Sequence, residues 1–188
     1  QIPSSQDFLA TILEAMKSNV VLQMTFRSFS MQEAKTFLVE PYCVKMSAQR
    51  WYMLARNVDY NYLRLYSLDR MEDVWLTDAH FALPKDFCAK EYFAEYYGIV
   101  LDESAPLQRI VLRADKYHQH YMRTLPLHPS QREIFTCDDY ADFELTLRPT
   151  YDFYMKLMSF GNMIKVLEPE SLQEKIYKWL EKTIEVYK

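Results

Sequence analysis

Five basic residues, Lys45, Arg50, Arg56, Arg64 and Arg70, share a stretch with only two acidic ones, Asp59 and Asp69, in a 188-residue chain of net charge −4. The chemistry such a cluster could do is anion binding, because a guanidinium grips phosphate oxygens through two parallel N–H bonds. The plainer alternative is that these side chains decorate solvated strand faces. Catalysis finds little support. With only two glycines, Gly98 and Gly161, neither a Gly-rich phosphate loop nor a dinucleotide fingerprint is present. There is no GxSxG elbow and no HExxH pair, and His118 and His120 are two apart on an expected helix, pointing away from each other. The adjacent carboxylates Glu72-Asp73 and Asp138-Asp139 read as solvated turn or edge charges. Cys43, Cys88 and Cys137 are too widely spaced for a zinc site or a disulfide framework. The chain is expected to bind rather than catalyse, with no cofactor and no metal.

The basic stretch must be carried by strands. Arg50 to Asn57 is apolar and aromatic at its centre, Asn57 to Asn61 supplies turn residues, and Tyr62 to Leu68 alternates. In that second strand Leu63 and Leu65 point one way and Arg64, Tyr66 and Leu68 the other, with Arg70 following if the strand continues. Further strands are expected at Val21 to Phe29, Thr36 to Met46 and Glu72 to Thr77. A helix precedes them, started by Ser4 and Asp7 at capping-box spacing and carrying the stripe Leu9, Ile12, Leu13 and Met16. The aromatic run Phe87, Tyr92, Phe93, Tyr96 and Tyr97 ends at Gly98, and Leu101 to Pro106 has linker composition. Beyond it the order is strand (Gln108 to Arg113), helix (Asp115 to Leu125), two strands (Gln131 to Thr136, Phe143 to Leu147), helix (Thr150 to Phe160) and strand (Met163 to Leu167). That βαββαβ order is ferredoxin-like. A last helix after Pro169 sets Leu172, Ile176, Trp179, Leu180, Thr183, Ile184 and Tyr187 on one face, for its own domain or a neighbouring subunit.

Several of these segments resemble the WYL domain of bacterial transcriptional regulators. Trp51-Tyr52-Met53 stands where that family has Trp-Tyr-Leu, and Arg64, Tyr66, Leu68, Asp69, Arg70 and Met71 follow its pattern of Arg, aromatic, aliphatic, Asp, Arg and aliphatic. Met53 for Leu conserves volume. Ser67 stands where a basic residue is frequent. Met24 to Ser28 is similar to the family's first strand, with Phe26 in the place of Tyr, and Glu40-Pro41-Tyr42 to its Pro-bearing strand. Leu127 to Gln131 and Val166 to Leu172 resemble WCX, the C-terminal extension that accompanies WYL domains.

The resemblance implies an α+β chain: an N-terminal helix and a small SH3-like or Sm-like β-barrel in residues 1–98, a linker at 99–106, and a ferredoxin-like WCX domain with a C-terminal helix in 107–188. It also implies an anionic effector, a nucleotide or single-stranded nucleic acid, held by Arg64, Arg70 and Tyr52 beside Tyr66, with Ser28 and Ser67 as further donors. The structural alternative for Arg70 is an ion pair with Asp69 or Glu72; Trp51 is expected in a core or between domains. DNA would be reached through an upstream helix-turn-helix domain that these residues do not supply. Duplex binding by residues 1–188 themselves is expected to be weak: up to Gly98 there are ten basic against twelve acidic residues, and after it twelve against fourteen. A homodimer is expected, and the competing reading is a dimerisation module with no small ligand. No apolar run approaches the ~18 residues of a membrane span and no signal-peptide pattern occurs, so a cytoplasmic location is expected, with no membrane partner.

Overall fold

The computed structural model describes residues 6–188, which form two compact units dividing between Ala89 and Lys90. The helix-starting pair expected at Ser4 and Asp7 lies outside the residues whose side chains are described. The chain is α+β, with a helix at its start and two antiparallel sheets.

In the first unit α1 (Gln6–Ser18) leads through Asn19 into β1 (Val20–Phe26), followed by β2 (Lys35–Ser47), β3 (Arg50–Asn57), β4 (Tyr62–Ser67) and β5 (Met71–His80). A single 3-10 turn, Leu68–Arg70, joins β4 to β5. Asn19 and Asn61 take φ of 52° and 53°, a left-handed conformation that asparagine tolerates, at the ends of α1 and of the β3–β4 turn. The sheet order is β4-β3-β2-β1-β5, and no ladder joins the outer strands β4 and β5 among the described residues. The expected barrel is therefore not closed by hydrogen bonds. Ile12 and Ala15 of α1 pack on Leu22, Met24, Val39, Met53 and Tyr66. Leu13, expected on the same stripe, is exposed, and Ala15 stands in the core instead.

The second unit opens with a short helix, α2 (Ala89–Phe93), whose first residue lies at the division. Its elements are β6 (Gln108–Asp115), α3 (His118–Thr124), β7 (Arg132–Thr136), β8 (Tyr140–Leu147), α4 (Tyr151–Ser159), β9 (Ile164–Glu168) and α5 (Glu170–Val186). The sheet order is β7-β8-β6-β9, antiparallel throughout. Strand alternation turns Ile110, Leu112, Ala114, Phe143 and Leu145 into one core with Phe153, Leu157 and Leu172. The opposite face carries ion pairs, Arg113 to Asp142 and Arg109 and Arg132 to Glu144.

Residues 99–106, expected as a linker, are tied to this unit. Asp152 accepts the Ile99 and Val100 N–H groups at 2.7 and 2.8 Å, and Arg148 donates to the carbonyls of Glu103 and Ala105. Gly98 belongs to the same clasp, since a Cβ there would stand 2.3 Å from the Asp152 Oδ2. In α5 the expected single face divides: Leu172, Ile176 and Trp179 pack on the core, while Leu180 and Ile184 stay exposed.

Candidate functional site

Where β1 ends, Phe26 pairs with Met71 at the start of β5, and the Arg27 N–H donates to the Arg70 carbonyl. This pairing brings the loop after β1 against the 3-10 turn and encloses a cleft of ≈ 420 Å³. Arg27, Ser28, Phe29 and Met31 line one side; Asp69, Arg70, Met71 and Glu72 line the other. Ser28 is buried, with its Oγ 2.9 Å from that of Ser30, and its N–H points to the Met31 sulfur.

The two carboxylates that Arg70 could have paired with are engaged elsewhere. Asp69 Oδ2 lies 3.5 Å from Arg50, and Glu72 lies 3.4 Å from Arg27. The Arg70 guanidinium instead lies over the exposed Phe29 ring, 4.0 Å from its centroid. Its Nε is buried and, among the described residues, has no hydrogen-bond partner; nor has Asp69 Oδ1. An unpaired buried donor is costly unless something supplies an acceptor. The Arg27–Glu72 pair is solvated on both sides, an arrangement typically worth ~0–1 kcal/mol, so separating the two side chains costs little.

The other site residues expected from sequence do not join this cleft. Tyr66 is 1% exposed, edge-on to Phe26 in the core. Burial raises its phenol pKa above the usual value, and the Asn57 side chain offsets part of that rise. Arg64 shares the Tyr66 face, as strand parity predicts, but the face is the inner one: the guanidinium covers the rings of Tyr66 and Phe26 at 5.5 and 6.0 Å. Tyr52 and Ser67 sit opposite each other in the β3–β4 ladder, both buried, on the other face of the sheet. Thus the structure brings Ser28 and Arg70 together and sets Tyr52, Ser67 and Tyr66 in packed positions.

The remaining members of the basic cluster have structural partners. Arg56 clasps buried Glu40 through Nε and Nη2 at 2.6 and 2.5 Å, and that bond raises the Arg56 pKa further. Sequence reasoning missed Arg27, Phe29 and Met31. The run Arg27-Ser28-Phe29-Ser30 carried the signal, a cation beside hydroxyls and an aromatic at a strand end.

Comparison with known proteins fixes the class. Residues 7–76 match the family model of the WYL domain, and residues 106–184 match that of the WCX domain. The chain is a WYL domain followed by a WCX domain. No curated protein matches it. Among solved structures it is similar to proteasome accessory factor B/C (PafBC) of Arthrobacter aurescens, at 18% identity and a TM-score of 0.42, over 95% of this chain and 27% of that one. It is also similar to a CRISPR Cas-related protein, at 13% identity and a TM-score of 0.53, over 97% of this chain and 52% of that one. The second likeness is one of fold. The chain spans about a quarter and about half of the length of these two proteins.

Proposed function

We propose that the chain is the ligand-sensing part of a bacterial transcriptional regulator and that its WYL domain takes a phosphate-bearing anion, a nucleotide or single-stranded nucleic acid, in the cleft between Ser28 and Arg70. The observation that carries this reading is Arg70: a half-buried guanidinium with a ring beneath it, both neighbouring carboxylates engaged elsewhere, and a donor aimed at no acceptor among the described residues. Arg70 would grip the phosphate, the Ser28 and Ser30 hydroxyls would donate to it, and Phe29 offers an exposed ring for a base to stack on. In this reading the first sheet curls as a small SH3-like or Sm-like barrel and the second unit is a ferredoxin-like domain. The protein works by binding rather than catalysis, in the cytoplasm, and signals to a DNA-binding domain outside these residues.

A ligand shifts a regulator only as far as it binds one state better than another. The loop from Arg27 to Ser30 is where that difference would arise, because it forms one wall of the cleft and Arg27 would exchange Glu72 for the ligand. Titrating 5′-AMP and a short 5′-phosphorylated oligothymidylate into the chain at several salt concentrations tests the proposal. Saturable, salt-sensitive binding of either supports it; failure of both at low salt favours the dimerisation module without a small ligand.

A further inference from the structure

Beside Arg70 the cleft holds a second buried group without a partner. Asp69, its neighbour in the same 3-10 turn, lines the cleft, and its Oδ1 has no hydrogen-bond partner among the described residues. The other oxygen, Oδ2, faces Arg50 at 3.5 Å, and the side chain is only 14% exposed, so bulk water has little access to supply the missing donor. A phosphate brings acceptor oxygens only. It suits the Arg70 Nε–H and leaves the Asp69 oxygen facing a further anion, which a poorly solvated cleft makes unfavourable. A ligand that satisfies both atoms carries a phosphate and, close to it, one O–H or N–H donor.

Three observations narrow that donor. Asp69 and Arg70 are adjacent in the chain, so the donor stands near the phosphate; in a nucleotide the sugar adjoins the phosphate and the base lies beyond it. With Oδ2 claimed by Arg50, one oxygen is left, which rules out the two-pronged grip that a carboxylate takes on the paired N–H groups of guanine. The ≈ 420 Å³ of the cleft lies near the lower end of the ~300–1,000 Å³ of small-molecule sites and suits one nucleotide, with the exposed Phe29 ring at the wall for its base.

We infer that Asp69 Oδ1 accepts a hydrogen bond from a ribose hydroxyl, so that the cleft selects a nucleotide bearing that hydroxyl over its deoxy counterpart and over bare phosphate. An acidic side chain on a ribose hydroxyl is a recurrent arrangement in nucleotide sites. The inference rests on the reading of the cleft as an anion site and adds the sugar to it: Arg70 holds the phosphate and Asp69 reads the hydroxyl. Discrimination arises chiefly from a penalty. A ligand without the hydroxyl leaves a carboxylate oxygen buried beside a phosphate with nothing to bond.

Its test is isothermal titration of the whole chain with 5′-AMP, the 2′-deoxy and 3′-deoxy analogues of 5′-AMP, and inorganic phosphate. 5′-AMP should bind about tenfold tighter than at least one of the deoxy analogues, the loss expected for a hydrogen bond to a charged group, and inorganic phosphate should bind most weakly. Asp69→Ala should close the gap between 5′-AMP and that analogue to within about twofold, with a thermal melt to establish that the variant is folded. The comparison of ligands on the native chain needs no variant and decides the matter even if Asp69→Ala does not fold. Equal affinity for 5′-AMP and both deoxy analogues would overturn the inference and leave the anion cleft standing. Asp69→Ala weakening every probe alike would also overturn it, making Asp69 a residue that only positions the turn. Binding of no nucleotide at all would refute the cleft itself, and this inference with it.

Discussion

Replacing Arg70 by alanine removes the guanidinium on which the proposed site turns. In the free protein its visible interaction is the ring of Phe29, 4.0 Å away, on an exposed aromatic. A cation–π contact at an exposed ring is worth ~0.5–1 kcal/mol. Against that stands the relief of a buried Nε with no partner among the described residues. The two effects oppose, and a net change below about 1 kcal/mol moves the melting temperature by only ~2–4 °C in a protein of this size. Binding is affected more. A hydrogen bond to a charged group contributes ~1.5–3 kcal/mol, so Arg70→Ala should weaken anion affinity by about tenfold to a hundredfold and make the salt dependence shallower. Arg70→Lys should recover only part of it, since an ammonium keeps the charge and loses the two-pronged grip. Fluorescence anisotropy with a labelled single-stranded oligonucleotide, run beside differential scanning calorimetry, measures both. Unchanged affinity with a large drop in melting temperature would refute the reasoning and make Arg70 a structural residue.

Other residues should behave differently. Tyr66→Phe and Tyr52→Phe should change anion affinity by less than about twofold, because both rings are packed away from the cleft; isothermal titration checks this. Arg56→Ala strands the buried Glu40 carboxylate and should cost about 2 kcal/mol in urea unfolding, a buried-pair penalty reduced for the partly exposed arginine, with no effect on binding. Gly98→Ala forces a Cβ onto Asp152, breaks its hold on Ile99 and Val100, and should lower stability by about 1–3 kcal/mol, read as earlier protease cleavage near residues 99–106. Arg109 and Arg132 hold the Glu144 carboxyl below its ordinary value. A depressed carboxylate contributes stability above its unfolded pKa of about 4.3 and loses it as pH falls through the folded one, so Glu144→Gln should flatten acid unfolding below about pH 4.3.

Local pattern made the second unit readable in outline, since its strands and helices are bounded by their own turns and follow the expected order from β6 to α5. Parity in β4 correctly set Arg64 and Tyr66 on one face. Whether that face looks inward depends on what Phe26 and Met53 bring to it from other strands, and no window around residue 66 contains that. For the same reason the basic cluster read as one site. Its members were sorted by distant carboxylates, Glu40 for Arg56 and Asp69 for Arg50, which claim some arginines and leave Arg70 unclaimed. Ser28 meets Arg70 only because the end of β1 pairs with the start of β5, Phe26 with Met71, across the whole of β2, β3 and β4. In α5 the apolar positions were legible, but one broad stripe hid two surfaces, one packed and one open.

The central claim is that the Arg70 guanidinium is the anion receptor of the WYL domain, and arginine side-chain NMR tests it most directly. The Nε–H resonances of the whole chain would be followed while a short 5′-phosphorylated oligothymidylate is added. The account predicts that the Arg70 Nε–H, without an acceptor among the described residues, shifts and becomes protected from exchange, that Arg27 moves with it as Glu72 is displaced, and that Arg56 stays where it is. Saturable shifts confined to arginines outside the cleft, such as Arg113 or Arg132, with Arg70 unmoved, would contradict it.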